Sequence, residues 1–170
     1  MTSPDGFDEF VRTRSRALLR TAWLLTGDWA SAEDLVQSAL ASAWPRWTTL
    51  RSPDSPDAYV RKIMVTTFLR WQRRRWTSEI STADLPETVA TRDLFSGADL
   101  REVLRRALQT LTPSQRAVIA LRYFLDLTET DTAAALGCSV GAVKGQSARA
   151  LTRLRKIAVL SDVLREGVPR

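Results

Sequence analysis

The stretch Leu136 to Arg155, LGCSVGAVKGQSARALTRLR, decides the fold prediction. A glycine-containing turn ends one apolar-periodic segment, and Ser139 then occupies the N-cap position of a basic helix that extends to about Leu160. Helix, three-residue break and helix is the helix-turn-helix pattern, whose second helix enters the major groove of DNA. Helical hairpins that bind no DNA share this pattern, so the segment favours DNA binding without establishing it.

The composition of this segment supports a DNA-facing helix. Gly141 and Gly145 each cost roughly 1 kcal/mol of helix propensity relative to alanine, which suggests that a bare backbone is needed there. Residues 139–156 contain no acid and five cations: Lys144, Arg149, Arg153, Arg155 and Lys156. We expect eight apolar residues to hold the two helices together: Ala133, Ala134, Leu136, Val140, Val143, Ala148, Leu151 and Leu154.

The remaining periodicity predicts an all-α protein of two small helical domains joined by a flexible linker. Residues 1–76 form the first domain, in which Ser31 is the expected N-cap of the second helix and residues 57–76 form the third. Residues 77–97 lack a clear period and form the linker. Residues 98–170 form a second, four-helix domain that contains the helix-turn-helix, with Thr112 and Thr128 as further N-caps.

Charge and composition narrow the function. Residues 51–78 carry a net charge of +5 and residues 104–170 carry +6, whereas residues 79–103 carry −4. Two basic blocks suggest nucleic-acid phosphates as partners, although solvated helix faces have the same composition. The chain has no histidine and a single cysteine, so we expect no zinc site, no cofactor and no histidine-based catalysis. It contains no apolar run of about 20 residues, which predicts a cytoplasmic protein rather than a membrane protein.

Three blocks in order resemble the extracytoplasmic-function group of bacterial RNA polymerase sigma factors. They are AEDLVQSALASAW (32–44), SPDAYVRKIMVTTFLRWQRRR (55–75) and LTPSQRAVIALRYFLDLTETDTAAALGCSVGAVKGQSARALTRLR (111–155). Their order is that of region 2 and region 4 of this family, and the second block resembles the actinobacterial SigE family. The resemblance implies a transcription initiation factor, not an enzyme, that binds core RNA polymerase and directs it to promoters.

The resemblance also implies partners and contact residues. In region 2, the second helix would bind the β′ coiled coil of the polymerase through Asp34, an exposed Leu35 and Gln37, although Asp34 taken alone is more typical of helix-dipole compensation. The β flap and promoter DNA are further partners, and an anti-sigma protein is a candidate regulator.

Two sets of residues would contact the promoter and help to melt it. The −10 element would be bound by the third helix and the loop before it, through Arg51, Ser52, Tyr59, Lys62, Thr66, Arg70, Arg73, Arg74 and Arg75. The −35 element would be bound by Arg122, Ser139, Ala142, Lys144, Ser147 and Arg149.

The chain departs from the family pattern at four of its positions. Thr66 and Arg70 stand where many members have asparagine and aspartate, and Gly145 and Gln146 replace a common serine and arginine. Base preferences therefore do not carry over from other members. The alternative function is a stand-alone helix-turn-helix regulator whose first domain senses a signal or dimerises, which leaves the AEDLVQ block and the arginine run without a role.

Overall fold

The computed structural model describes residues 4–50, 56–77 and 98–166, with side chains at 4–50, 56–74 and 102–157. The chain divides into two compact units, Met1–Leu94 and Phe95–Arg170. Every regular element within the described residues is helical, which confirms the all-α prediction. Apart from Thr77, the predicted linker 77–97 lies outside the described residues, as do Arg51 and Ser52.

Over residues 4–50 and 56–77, the first unit is built from three α-helices. They are α1 (Phe7–Thr26), α2 (Trp29–Ala43) and α3 (Pro56–Thr77), with a short 3-10 helix at Trp44–Thr49. Their apolar faces meet in a core whose fully buried side chains include Leu25, Leu35, Met64 and Phe68. Burial of each such side chain contributes roughly 1.5–3 kcal/mol, so the core rather than helix propensity holds the three helices together.

The turn between α1 and α2 corrects one sequence prediction. Gly27 ends α1 in the left-handed conformation (φ 82°), and its N–H donates to the Trp23 carbonyl at 2.8 Å. The N-cap of α2 is Asp28, whose carboxylate accepts the Ser31 N–H at 2.7 Å. The expectation that Ser31 caps this helix is wrong, because Asp28 caps it three residues earlier.

An aromatic cluster fixes the beginning of the chain on the first unit. The Phe7 ring lies edge-on between Trp44 and Trp47, with ring centroids 4.7 and 4.8 Å away. The Trp47 indole N–H donates to the Asp5 carbonyl at 3.2 Å. Edge-to-face pairs of this kind contribute about 0.5–1.5 kcal/mol beyond the area they bury. The short helix after α2 is thereby attached to the start of α1.

Between residues 98 and 166, the part that the structure describes, the second unit contains four α-helices, as predicted. They are α4 (Ala98–Gln109), α5 (Pro113–Ile119), α6 (Glu129–Leu136) and α7 (Val140–Glu166), and α5 continues as a π-helical turn over Ala120–Phe124. All three predicted N-caps of this unit are confirmed: the hydroxyls of Thr112, Thr128 and Ser139 accept backbone N–H groups three residues ahead. Thr112 also forms the full capping box with Gln115.

The helix-turn-helix is formed by α6 and α7. Gly137 ends α6 in the left-handed conformation (φ 66°), which turns the chain toward Ser139. Val118, Ala133 and Val143 form the core beneath the turn, with Leu136 and Val140 packed against it. Ala134 and Ala148 are exposed, so their expected role in holding the helices together is wrong. Ala135 and Ala150 are buried instead.

Glu102 is the centre of a surface ion-pair cluster on α4. Its carboxylate lies 2.8 Å from Arg105 Nε and 2.6 Å from Arg106 Nε. Hydrogen bonds from these two guanidinium groups lower the pKa of Glu102 from 4.5 to about 2.

None of the helices in the described part of the chain has the length and hydrophobicity that a membrane span requires.

Candidate nucleic-acid interfaces

The first turn of α7 presents small side chains and backbone. The Ser139 hydroxyl accepts the Ala142 N–H at 3.1 Å, so Ser139 acts first as a helix cap, and both residues are exposed. A Cβ built on Gly141 meets only the Ser139 hydroxyl oxygen, at 3.9 Å, and one built on Gly145 meets nothing within 4 Å. Neither glycine is therefore required by packing inside the described part of the unit.

One face of α7 gathers the features expected of a groove-binding surface. Ala142 and Arg149 are exposed and lie two turns apart, with Gly145 between them at the spacing that keeps all three on one side of the helix. We call Ala142, Gly145 and Arg149 the α7 face. Buried Val143 and Ala150 lie on other sides of the helix.

Ser147 does not share the α7 face. It follows buried Val143 by four residues and precedes buried Ala150 by three, so it lies on the inward side of the helix and is half-buried. Its hydroxyl oxygen lies 3.4 Å from the phenolic oxygen of Tyr123 on the π-helical turn. The expectation that Ser147 faces DNA together with Ala142 and Arg149 is thus not supported, because Ser147 faces its own unit.

Two of the five cations between residues 139 and 156 already have partners within the second unit. Lys144 Nζ lies 3.7 Å from the Glu129 carboxylate at the start of α6. The Arg153 guanidinium donates to the Thr110 carbonyl at 3.0 Å and to Gln115 Oε1 at 3.3 Å, which connects α7 to the turn before α5. Arg149, Arg155 and Lys156 are exposed.

Arg122 is half-buried and oriented by its own chain. Its guanidinium donates to the Leu127 carbonyl and lies over the Tyr123 ring, 6.0 Å from the centroid. Arg122 therefore connects the π-helical turn after α5 to Leu127, just before α6, which is the first helix of the helix-turn-helix. Its remaining N–H groups keep the chemistry required for a phosphate contact.

Five of the residues expected at the −10 element lie on one side of α3. Lys62, Thr66, Arg70 and Arg73 are exposed and Tyr59 is half-buried, and they follow one another at intervals of three or four residues. We call these five residues the α3 stripe. The opposite side of α3 carries the buried residues Val60, Met64, Val65 and Phe68. The structure thus places five residues of the predicted −10 set together on the side of α3 that faces away from the core.

The Thr66 hydroxyl is engaged by its own helix. Its oxygen lies 3.0 Å from both the Lys62 and the Ile63 carbonyl oxygens and donates to them. Because the hydroxyl proton is used, Thr66 presents a methyl group and an acceptor lone pair, but no donor, to a partner on the α3 stripe. An asparagine at this position would supply both donor and acceptor.

The residues expected to contact the polymerase separate into two groups. Asp34 and Gln37 are exposed and three residues apart, hence neighbours on the outer side of α2. Leu35 is 0% exposed and belongs to the core of the first unit. The expectation of an exposed Leu35 is wrong, because the apolar period of α2 turns it inward.

Asp34 is not placed to cap α2. Since the helix begins at Trp29, Asp34 is its sixth residue and lies beyond the first turn, where backbone N–H groups lack intrahelical partners. Together with Ser31, Trp71 and Arg74 it lines an open groove between α2 and α3. Trp71 is half-buried there, and the Arg75 side chain lies outside the described residues.

Three contact residues were missed by sequence reasoning. The sequence shows Glu129 as an acid in the first turn of α6, Arg153 as one cation among five, and Tyr123 as part of a helix. Their partners lie on other helices, so periodicity carried no signal for these contacts.

The described residues thus form a two-unit, all-helical protein with a helix-turn-helix in its second unit. Residues 10–78 match the family model described as Sigma-70 region 2, and residues 101–154 match Sigma-70, region 4. The chain belongs to the sigma-70 family of RNA polymerase sigma factors, which direct the polymerase to promoters. A stand-alone regulator is not favoured, because the region 2 match accounts for the first unit.

Individual relatives agree with this assignment. The RNA polymerase sigma-E factor of Streptomyces coelicolor is 43% identical over 157 residues, covering 92% of this chain and 88% of the relative. The ECF RNA polymerase sigma factor SigM of Mycobacterium tuberculosis is 29% identical over 152 residues, covering 89% and 76%. Among solved structures, the sigma factor RpoE in complex with the anti-sigma factor NepR from Bartonella quintana has a TM-score of 0.72 at 27% identity, covering 91% of this chain and 98% of that chain. The expected resemblance to sigma-E factors is confirmed.

Proposed function

We propose that this sigma factor reads the −35 element with the α7 face. One observation carries the proposal: Gly145 lies between Ala142 and Arg149, and a Cβ built on it would meet no atom within 4 Å. A bare backbone flanked by a guanidinium group lets a helix approach base edges while the cation holds phosphate or guanine. Ser139 caps the helix beside this face, Lys144 and Arg122 add phosphate contacts from outside it, and Ser147 orients α7 from inside.

The α3 stripe captures the −10 element in this proposal. Lys62, Arg70 and Arg73 are spaced to follow a single-strand backbone, and the half-buried Tyr59 ring offers a surface on which an unstacked base stacks. Thr66 favours a partner that offers a donor or a methyl group, because its own proton is used. Arg51, Ser52, Arg74 and Arg75 extend this surface in the proposal.

The outer side of α2 binds core polymerase in this proposal. Asp34 and Gln37 present an acid and an amide on adjacent turns, which suits arginine and polar groups of the β′ coiled coil. Leu35 supports them by fixing α2 to the core. In the second unit, Tyr123 and Phe124 are 49% and 45% exposed and offer apolar surface to the β flap.

A charge reversal tests the polymerase-binding surface. Asp34→Arg should weaken co-elution with core polymerase and reduce promoter-dependent transcription at least several-fold, since it places a like charge against the expected arginines. Glu9→Arg is the matched control, because Glu9 is an exposed acid on α1 of the same unit. Far-ultraviolet circular dichroism checks that both variants keep their helices. Equal polymerase affinity of the Asp34→Arg variant and the wild type would contradict this role.

Regulation and location complete the proposal. The partners, core polymerase and promoter DNA, place the protein in the cytoplasm, and it acts by binding rather than by catalysing a reaction. The relative RpoE is solved with the anti-sigma factor NepR, which supports an anti-sigma protein as a partner here. Adding such a protein to the transcription assay should abolish the promoter-dependent transcript.

A further inference from the structure

Lys144 and Glu129 are the charged pair that connects the two helices of the helix-turn-helix. Lys144 Nζ lies 3.7 Å from Glu129 Oε2, and the two side chains are 64% and 38% exposed. Glu129 is the first residue of α6, directly after the Thr128 cap, and Lys144 lies in the second turn of α7, after the Ser139 cap. Both backbones are thus fixed by caps beside the pair.

The surroundings leave Glu129 available to Lys144. The other first-turn acid of α6, Asp131, accepts the Thr128 hydroxyl at 2.6 Å. The helix dipole favours a carboxylate at this end of α6. A nearby carboxylate competes with DNA phosphate for the same ammonium group, because Lys144 carries one positive charge.

We propose that Glu129 is a positioning residue that restrains Lys144 and thereby weakens sequence-independent binding to DNA phosphates. The inference rests on the proposed placement of α7 against DNA. Lys144 must leave Glu129 before it neutralises a phosphate, so the intact pair removes one cation from the electrostatic contact that any duplex offers. An exposed pair of this kind contributes little to folding, which separates this role from a structural one.

The test measures binding of the full chain to a fluorescent 30-base-pair duplex of scrambled sequence at several salt concentrations. Glu129→Gln should bind this duplex about two- to fivefold more tightly at low salt, as expected from the strength of exposed ion pairs. Its salt dependence should steepen by up to about 0.9 in log–log slope, since one more counterion is released. In a Lys144→Gln background, Glu129→Gln should change neither quantity.

One further arm makes the test decisive. Glu102→Gln changes the net charge of the same unit equally, but Glu102 and its partners Arg105 and Arg106 lie on α4, outside the helix that is placed against DNA, so it should leave the affinity and slope near those of the wild type. The proposal is overturned if Glu129→Gln has no effect, if Glu102→Gln reproduces it, or if the gain persists without Lys144, since direct repulsion of phosphates would then be the cause. Because the duplex is scrambled, these outcomes are independent of whether the wild type discriminates a −35 element, which tests the proposed function separately.

Discussion

Replacing Gly145 should affect folding and DNA binding in opposite directions: it should stabilise α7 and weaken promoter binding. A Cβ at Gly145 meets no atom within 4 Å, so alanine fits without strain. The change removes a helix-interior glycine and should raise the stability of α7 by about 0.5–1 kcal/mol. Amide exchange in α7 should slow by roughly two- to fivefold, since 1.4 kcal/mol corresponds to a factor of ten.

The expected effect on DNA has the opposite sign. The added methyl group of Gly145→Ala would project from the α7 face between Ala142 and Arg149. If the backbone there approaches a base edge, the methyl group displaces the helix and weakens promoter binding by roughly 1–3 kcal/mol, the usual contribution of one base pair. Gly145→Ser, which restores the residue type common in the family, should show the same stability trend and reveal whether a hydroxyl compensates.

Two measurements test this prediction. Hydrogen exchange of peptides from 140–166 reports the stability of α7, and binding of the reconstituted polymerase complex to the promoter reports the effect on DNA. All six tryptophans lie before residue 77, so tryptophan fluorescence reports the first unit and should not change. Gly141→Ala is the matched control: its Cβ lies 3.9 Å from the Ser139 hydroxyl oxygen, and its place in the first turn makes a smaller stability gain expected. Unchanged or faster exchange for Gly145→Ala, or a stabilised variant with wild-type promoter affinity, would refute the reasoning.

Three further predictions follow from burial and charge. Leu35→Ala should lower the free energy of unfolding by about 2–5 kcal/mol, measured by urea denaturation with tryptophan fluorescence, and a loss under about 1 kcal/mol would contradict its place in the core. Lys62→Gln and Arg70→Gln should each reduce the salt slope of binding to single-stranded −10 DNA by about 0.7, because each removes one phosphate contact. Arg46→Gln is the control and should leave the slope unchanged. If Lys62→Gln and Arg70→Gln also leave the slope at the wild-type value, the α3 stripe does not contact the strand. Because the pKa of Glu102 is lowered to about 2, its stabilisation is fully present above pH 4.5 and is lost as the pH falls toward 2. Glu102→Gln should therefore lose stability relative to wild type above pH 4.5 but not near pH 2, and a pH-independent difference in melting temperature would contradict this.

Local signals predicted the helix ends well where they were unambiguous. Thr112, Thr128 and Ser139 each stand three residues before the backbone N–H that their hydroxyl accepts, and Thr112 is followed at once by a proline at the first helical position. At α2 the sequence offers two capping residues three apart, Asp28 and Ser31, and only the turn at Gly27 decides between them. The path of the chain through the turn thus decides which residue caps α2, and the spacing of residues in the sequence does not reveal that path.

The error at Leu35 has a different cause. Its neighbours in the resemblance to sigma factors suggested an exposed contact, whereas the apolar period of α2 placed it with Val36 and Ala39 on the inner side. Where a motif and a period disagree, burial follows the period, because exposing a leucine forfeits roughly 1.5–3 kcal/mol. Sequence motifs therefore identify the polymerase-binding helix better than they identify which of its residues reach the partner.

The number of cations that α7 offers to DNA depends on tertiary contacts. Counting along residues 139–156 assigns five, yet Arg153 binds the Thr110 carbonyl and Lys144 pairs with Glu129, so Arg149, Arg155 and Lys156 remain without an ion pair among the described residues. If each remaining cation neutralises one phosphate, these three contribute about 2.7 to the log–log salt slope, rather than the roughly 4.5 of all five. The salt dependence of duplex binding therefore measures how many α7 cations the fold itself has already engaged.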